Sequence, residues 1–138
     1  MAGSAPPTLY SLDLLACTIA GADGVVWSCG SGKVNRLSTG SGELRVLRSL
    51  SLPYREPVST GTFRGGFRDV AVGYGSVWVL GDALDRRLWR LDRVSGRVLA
   101  TIELPFLPRT VAAGEGGVWI SAPLDDRVLR IDPETNAI

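Results

Sequence analysis

A frame of residues recurs around three of the chain's four tryptophans, Trp27, Trp78 and Trp119, and it limits the fold more than any other feature. Eight residues before each stands a β-branched residue (Ile19, Val70, Val111), and seven before stands an alanine (Ala20, Ala71, Ala112). A glycine lies three before (Gly24, Gly75, Gly116) and a valine one before (Val26, Val77, Val118). Downstream of each comes an arginine, an aliphatic residue and an aspartate or serine: Arg36-Leu37-Ser38, Arg90-Leu91-Asp92 and Arg130-Ile131-Asp132. A register held at so many offsets marks a structural repeat. One unit of this size cannot bury its own apolar positions, so it must stack on its neighbours.

Within a repeat the pattern is that of short strands. In the second, 68–72, 76–80, 88–92 and 97–104 are runs rich in Val, Ile, Leu and Trp, parted by Gly, Ser and Asp clusters at 73–75, 81–87 and 93–96. Such runs predict four strands, and no window shows a helical period. The intervals from 27 to 78 and from 78 to 119 are 51 and 41 residues, so the first carries about ten extra residues in one loop. A period of about forty residues with four strands per unit predicts an all-β propeller, here of about three four-stranded blades.

The segmentation follows. Residues 1–7 form a disordered tail, and 8–14 form a strand that completes a neighbouring blade. Blade 1 is 15–53, the inserted loop 54–67, blade 2 68–107, and blade 3, lacking its outer strand, 108–138. Propellers usually close with about four to eight blades, and an open arc exposes apolar faces and strand edges. A homodimer closed head to tail as a six-bladed ring is therefore the expected assembly, and a segment of a longer propeller is the alternative.

Fifteen basic and fourteen acidic residues leave a net charge of +1, which favours neither nucleic acid nor an anionic membrane as partner. No run of about eighteen apolar residues is present, so no membrane span is predicted. Leu14-Leu15-Ala16-Cys17 has the look of a lipoprotein cleavage box. Yet no Lys or Arg precedes it and Asp13 interrupts it, so no signal peptide is read and the compartment is cytoplasmic by default. If Ile19 faces Trp27 across a hairpin, Cys17 faces Cys29 within disulfide range. Two buried free thiols are the other reading, and the preferred one.

Catalytic motifs are scarce. The chain has no histidine, so Ser28, Ser95 and Ser121 cannot be activated as in a Ser-His-Asp site, and the usual zinc spacings are missing. Gly73-Tyr74-Gly75 and Gly114-Glu115-Gly116-Gly117 precede no helix and so are hairpin turns rather than phosphate cradles. No cofactor or metal is expected. Asp85 and Asp126, each seven residues after its tryptophan, with Asp82 and Asp125 nearby, read as turn formers. Asp92 and Asp132 likewise open turns that end in Ser95-Gly96 and Thr135-Asn136.

The candidate binding surface is the inserted loop, which joins Tyr54, Phe63 and Phe67 to Arg55, Arg64 and Arg68. Aromatic and arginine residues together are the composition of binding hot spots, although the aromatics of such a loop can instead fold back as anchors. Asp85-Arg86-Arg87 forms a second patch. Trp89 is a further contact candidate, because its equivalents Asn35 and Leu129 show that the repeat does not demand tryptophan there.

Val70-Ala71-Val72-Gly73-Tyr74-Gly75-Ser76-Val77-Trp78-Val79, the run Arg130-Ile131-Asp132-Pro133-Glu134-Thr135-Asn136 and the blade-closing Ile102-Glu103-Leu104-Pro105 together carry a resemblance. The chain, from about 19 to 138, resembles the YVTN/NHL-type propeller repeats. It is most similar to those of the virginiamycin B lyase (streptogramin lyase) family and its bacterial relatives. That resemblance implies a propeller, and it would imply a lyase using a histidine base helped by a glutamate and magnesium. Here the histidine has no counterpart, and none of Glu103, Glu115 and Glu134 sits in a matching motif. The expectation is thus a non-enzymatic binding or scaffold module with an unnamed ligand. The alternatives are a lyase-like enzyme whose catalytic residues lie outside this sequence, and a propeller piece that only self-assembles.

Overall fold

The computed structural model describes residues 16–22, 24–30, 32–38, 45–53, 66–82 and 85–138. The predicted runs fold as strands in three antiparallel meanders. The first sheet is β1 (Ala16–Ala22), β2 (Val25–Gly30), β3 (Lys33–Leu37) and β4 (Val46–Ser51), paired in that order. The second is β5 (Phe67–Gly73), β6 (Ser76–Gly81), β7 (Arg87–Asp92) and β8 (Val98–Glu103). A third sheet holds β9 (Thr110–Gly114), β10 (Gly117–Ala122) and β11 (Arg127–Ile131), with a single 3-10 turn at Pro123–Asp125. The chain is all-β, and its sheets are propeller blades. The tail 1–7, the strand expected over 8–14 and residues 54–65 lie outside the described residues.

The pairing registers explain the repeat. In each sheet the tryptophan of the second strand is flanked by the repeat's alanine on the inner strand and by its arginine on the third. The rows are Ala20–Trp27–Arg36, Ala71–Trp78–Arg90 and Ala112–Trp119–Arg130. An indole spreads sideways over its neighbours, and directly opposed side chains are its closest ones. Alanine leaves room on one side, and on the other a guanidinium stacks on the ring. Arg90 lies 4.8 Å from the Trp78 centroid and Arg130 5.9 Å from that of Trp119.

This register corrects the expected one. Ala20, not Ile19, faces Trp27, and Ile19 faces Ser28. An irregularity between Ala16 and Ile19 absorbs one residue, below which Ala16 faces Gly30. Cys29 is buried and disulfide-bonded, so the preferred reading of it as a free thiol is also corrected. Cys17 lies in β1, its side chain outside the described residues.

Side chains alternate across each sheet, so the middle blade feeds two cores. Val77, Val79, Trp89 and Leu91 join Val25, Trp27, Cys29 and Val34 of the first blade. Trp78, Leu80 and Leu88 join Val111, Val118, Ile120 and Ile131 of the third. Sandwiched on both faces, β6 is buried along its whole length, which is why it reads as an unbroken apolar run. The inner strands are also joined by polar links. Asp69 accepts from the Thr18 hydroxyl at 2.8 Å through Oδ1 and from the Val111 N–H at 2.9 Å through Oδ2.

Connections alternate between the two ends of the sheets. One end holds the hairpins, where Tyr74 and Gly75 (φ 54° and 66°) and Glu115 and Gly116 (φ 49° and 76°) make two-residue turns with both residues left-handed. At the same end the expected aspartate turns form. Asp92 Oδ1 accepts from the N–H groups of Val94 (3.0 Å) and Ser95 (2.7 Å), and Asp132 Oδ1 from those of Glu134 (2.8 Å) and Thr135 (3.3 Å). Gly96 and Asn136 close these turns at φ 73° and 61°, the conformation that Gly and Asn tolerate. The opposite end carries the blade-to-blade crossings and the turn between β6 and β7.

Candidate functional site

The crossing from the first blade to the second leaves at Leu52-Pro53 and returns at Gly66-Phe67. Both flanks of this crossing are held by the connection between β6 and β7. Arg87 Nη2 donates to the Pro53 carbonyl at 2.6 Å. On the return side, the Gly66 N–H donates to Asp82 Oδ2 at 3.2 Å, and the Asp82 N–H donates back to the Gly66 carbonyl at 3.2 Å. Asp82 also caps its own turn, accepting the Asp85 N–H through Oδ1 at 3.0 Å. A twelve-residue segment, 54–65, thus springs from a base clamped on both sides.

Arg87 is fixed in turn by a buried partner. Its Nε and Nη2 donate to the two carboxylate oxygens of Asp85 at 2.5 Å and 2.7 Å. The Asp85 side chain is fully buried and that of Arg87 only 14 % exposed. The hydrogen bond to Asp85 holds the Arg87 guanidinium above its usual value against the opposing effect of burial, and the Asp85 and Glu103 charges add to the rise. Fork-on-fork geometry of this kind is what makes a buried pair tolerable. The guanidinium also lies 5.0 Å from the Trp89 centroid, and the Phe67 ring meets Trp89 edge-on at 5.5 Å.

These positions revise the candidate surface. Trp89 and Asp85 are wholly buried and Phe67 is 9 % exposed, so the three pack at the base of the insertion and present little or no surface to a ligand. Asp85 is the carboxylate of an ion pair, and the turn-capping role belongs to Asp82. Arg86 is exposed and Arg68 and Arg87 are partly buried, leaving these three as the described residues of the surface that solvent reaches. Tyr54, Arg55, Phe63 and Arg64 lie outside the described residues. The clamp by Asp82 was missed by sequence reasoning. Its one signal was that its equivalents, Ser31 and Pro123, are not acidic, so the repeat does not require it.

At the other end, an open cavity of about 680 Å³ lies between the second and third blades, lined by Tyr74, Arg90, Arg130, Asp132 and Glu134 among others. Arg90 is committed there to structure, donating to Ser76 Oγ (2.8 Å), the Pro133 carbonyl (2.5 Å) and Asn136 Oδ1 (2.9 Å). Among the described residues no three of Cys, Asp and Glu converge as metal ligands. What the geometry provides is a turn that holds Pro53 and Gly66, the two residues flanking 54–65.

No family model and no curated protein matches the chain. Solved structures do. The glutaminyl cyclase of Myxococcus xanthus is 14% identical, with a TM-score of 0.60 over 91% of this chain and 51% of its own. The WD40 domain of Neurospora crassa Pan2 is 15% identical, with a TM-score of 0.63 over 89% of this chain and 34% of its own. Apo AztD from Citrobacter koseri is 15% identical, with a TM-score of 0.61 over 99% of this chain and 35% of its own. At such identities the likeness is one of fold, that of a β-propeller. The chain spans about half the length of the first structure and about a third of the other two.

Proposed function

We propose that this chain is a binding or scaffold module whose recognition surface is the sheet end bearing the 54–65 insertion, with Arg68 and Arg86 beside it. The observation that carries this reading is the double clamp, in which Arg87 and Asp82 tie Pro53 and Gly66, on either side of the insertion, to one turn. A segment composed of Tyr54, Arg55, Phe63 and Arg64 is then offered from a fixed base, and a fixed base lowers the entropy lost on binding. Aromatic and arginine side chains supply contact area and charge to such a surface. We read the similarity to lyase-type repeats as one of blade architecture and not of chemistry, because that elimination needs a base and the family's histidine is missing.

The test uses the immobilised chain to capture proteins and small molecules from a lysate of the source cells, read by mass spectrometry. It is run beside Arg64→Ala/Arg68→Ala and a chain with 54–65 replaced by a Gly-Ser linker. Loss of the captured species in both, with thermal unfolding unchanged, is expected. Equal capture by all three would remove this end from consideration.

A further inference from the structure

Where the first blade meets the second, the hairpin end carries positive charge that no described acid balances. Arg36 in β3 and Arg48 in β4 are directly opposed across their ladder. Like charges so placed repel each other. The repeat does not call for the pair, because the same two positions in the second blade hold Arg90 and Ala100.

Both arginines reach across the joint to one turn. Arg36 Nη1 donates to the Val94 carbonyl at 3.2 Å, and Arg48 Nη1 donates to the next carbonyl, that of Ser95. The two guanidiniums are thus held on consecutive residues of a turn whose shape Asp92 and Gly96 already fix. Arg36 is half-buried and Arg48 exposed, so solvent reaches both.

A guanidinium has five N–H donors, and most of these are left over here. Arg90 differs, since its Nε goes to Ser76 Oγ and its Nη1 to two further acceptors. Val25 stands in the first blade where Ser76 stands in the second. The buried Arg36 Nε accordingly has no hydrogen-bond partner among the described residues. Nor does either arginine form an ion pair with a described carboxylate. Asp92, the acid at this turn, directs Oδ1 to the N–H groups of Val94 and Ser95 and to the Ser95 hydroxyl. The charge that acts on it is that of Arg97.

We infer that Arg36 and Arg48 form a binding site for a dianionic phosphate group, at the opposite end of the sheets from the inserted loop. Two fixed guanidiniums offer two positive charges and forked donors. A phosphate monoester brings roughly two negative charges and three acceptor oxygens, whereas a carboxylate brings a single charge. Its oxygens accept from both arginines, and its charge removes the repulsion between them. The turn carbonyls hold the two side chains in place beforehand, so little of their freedom is lost on binding.

The experiment is an NMR titration of the chain with inorganic phosphate up to about 50 mM, with ionic strength held constant by chloride so that screening does not change. Saturating shifts of the Arg36 and Arg48 Nε–H signals and of the amides of 94–97 are expected. Arg48→Ala takes the residue that the second blade has at this position, so the strand accepts it, and it should raise the dissociation constant about tenfold or more. Arg48→Lys, which keeps the charge but not the fork, should fall between the two. Arg109→Ala, exposed at the opposite end, should leave the constant unchanged. The inference is overturned by the lack of a saturable shift at these residues, by an Arg48→Ala chain that binds phosphate as tightly as wild type, or by acetate binding as tightly as phosphate.

Discussion

Arg87→Met tests the anchoring of the inserted loop most directly. The methionine keeps much of the aliphatic length over Trp89 but removes both donors to Asp85 and the donor to the Pro53 carbonyl. Asp85 is fully buried, so its carboxylate loses the guanidinium that is paired with it there. Breaking a buried pair from one side typically costs about 3–5 kcal/mol, most of it the stranded charge. Asp85→Asn should cost less, about 1–3 kcal/mol, because the amide oxygen still accepts one guanidinium bond. The double variant carries no stranded charge, so its loss should fall short of the two single losses combined. Urea unfolding followed by tryptophan fluorescence measures all three. With a slope of about 1.5–2 kcal/mol per molar, Arg87→Met should lower the midpoint by about 2 M. A shift under about 0.5 kcal/mol, or strictly additive single losses, would refute the argument that the pair holds the turn.

Two further outcomes follow from the blades. Ala71→Val puts two methyl groups opposite the wholly buried Trp78 and should cost about 1–3 kcal/mol by overpacking, while Ala112→Val beside the half-exposed Trp119 should cost clearly less. Thermal unfolding of both checks the order, and equal losses would contradict the row. Asp92 is held below its ordinary value of 3.8 by the Ser95 N–H, then the Ser95 hydroxyl and the Val94 N–H. A lowered value in the folded state means a contribution that is present above pH 3.8 and lost as pH falls through the folded value. The stability gap between wild type and Asp92→Asn should therefore narrow as pH is lowered from 7 to about 3 in thermal scans, and a gap independent of pH would contradict it.

The blade architecture was legible because repeat positions are packing positions. Trp27, Trp78 and Trp119 share a register with an alanine and an arginine, and the structure shows the three as one lateral row. What the sequence could not show was adjacency. Counting through the hairpin sets Ile19 opposite Trp27, but the tight turn that pairs Ala22 with Val25 moves the whole register by one residue, so that Ala20 takes that place. Trp89 reads as a contact residue because the repeat does not demand it, Phe67 because it belongs to the aromatic and arginine composition of the inserted loop, and Asp85 because it adjoins Arg86 and Arg87. Residues outside the repeat serve local needs, however, and a buried anchor and a ligand contact look alike in one dimension. Only the meeting of Phe67 and Arg87 at Trp89, with Arg87 tied in turn to the Pro53 carbonyl of the first blade, separates the two.

The clamp at the base of the insertion also sets how freely the insertion can change. Its two ends are tied to the same turn, Pro53 through Arg87 and Gly66 through Asp82, so the blades register only that the ends are closed. Closing a loop costs free energy that grows with the logarithm of its length, about 0.6 kcal/mol for each doubling. Twelve residues could become twenty-four for less than the gain from a single charge-assisted hydrogen bond, about 1.5–3 kcal/mol. The 54–65 segment is thereby an insertion port, a place where foreign sequence can be grafted and diversified while the sheets beneath stay the same.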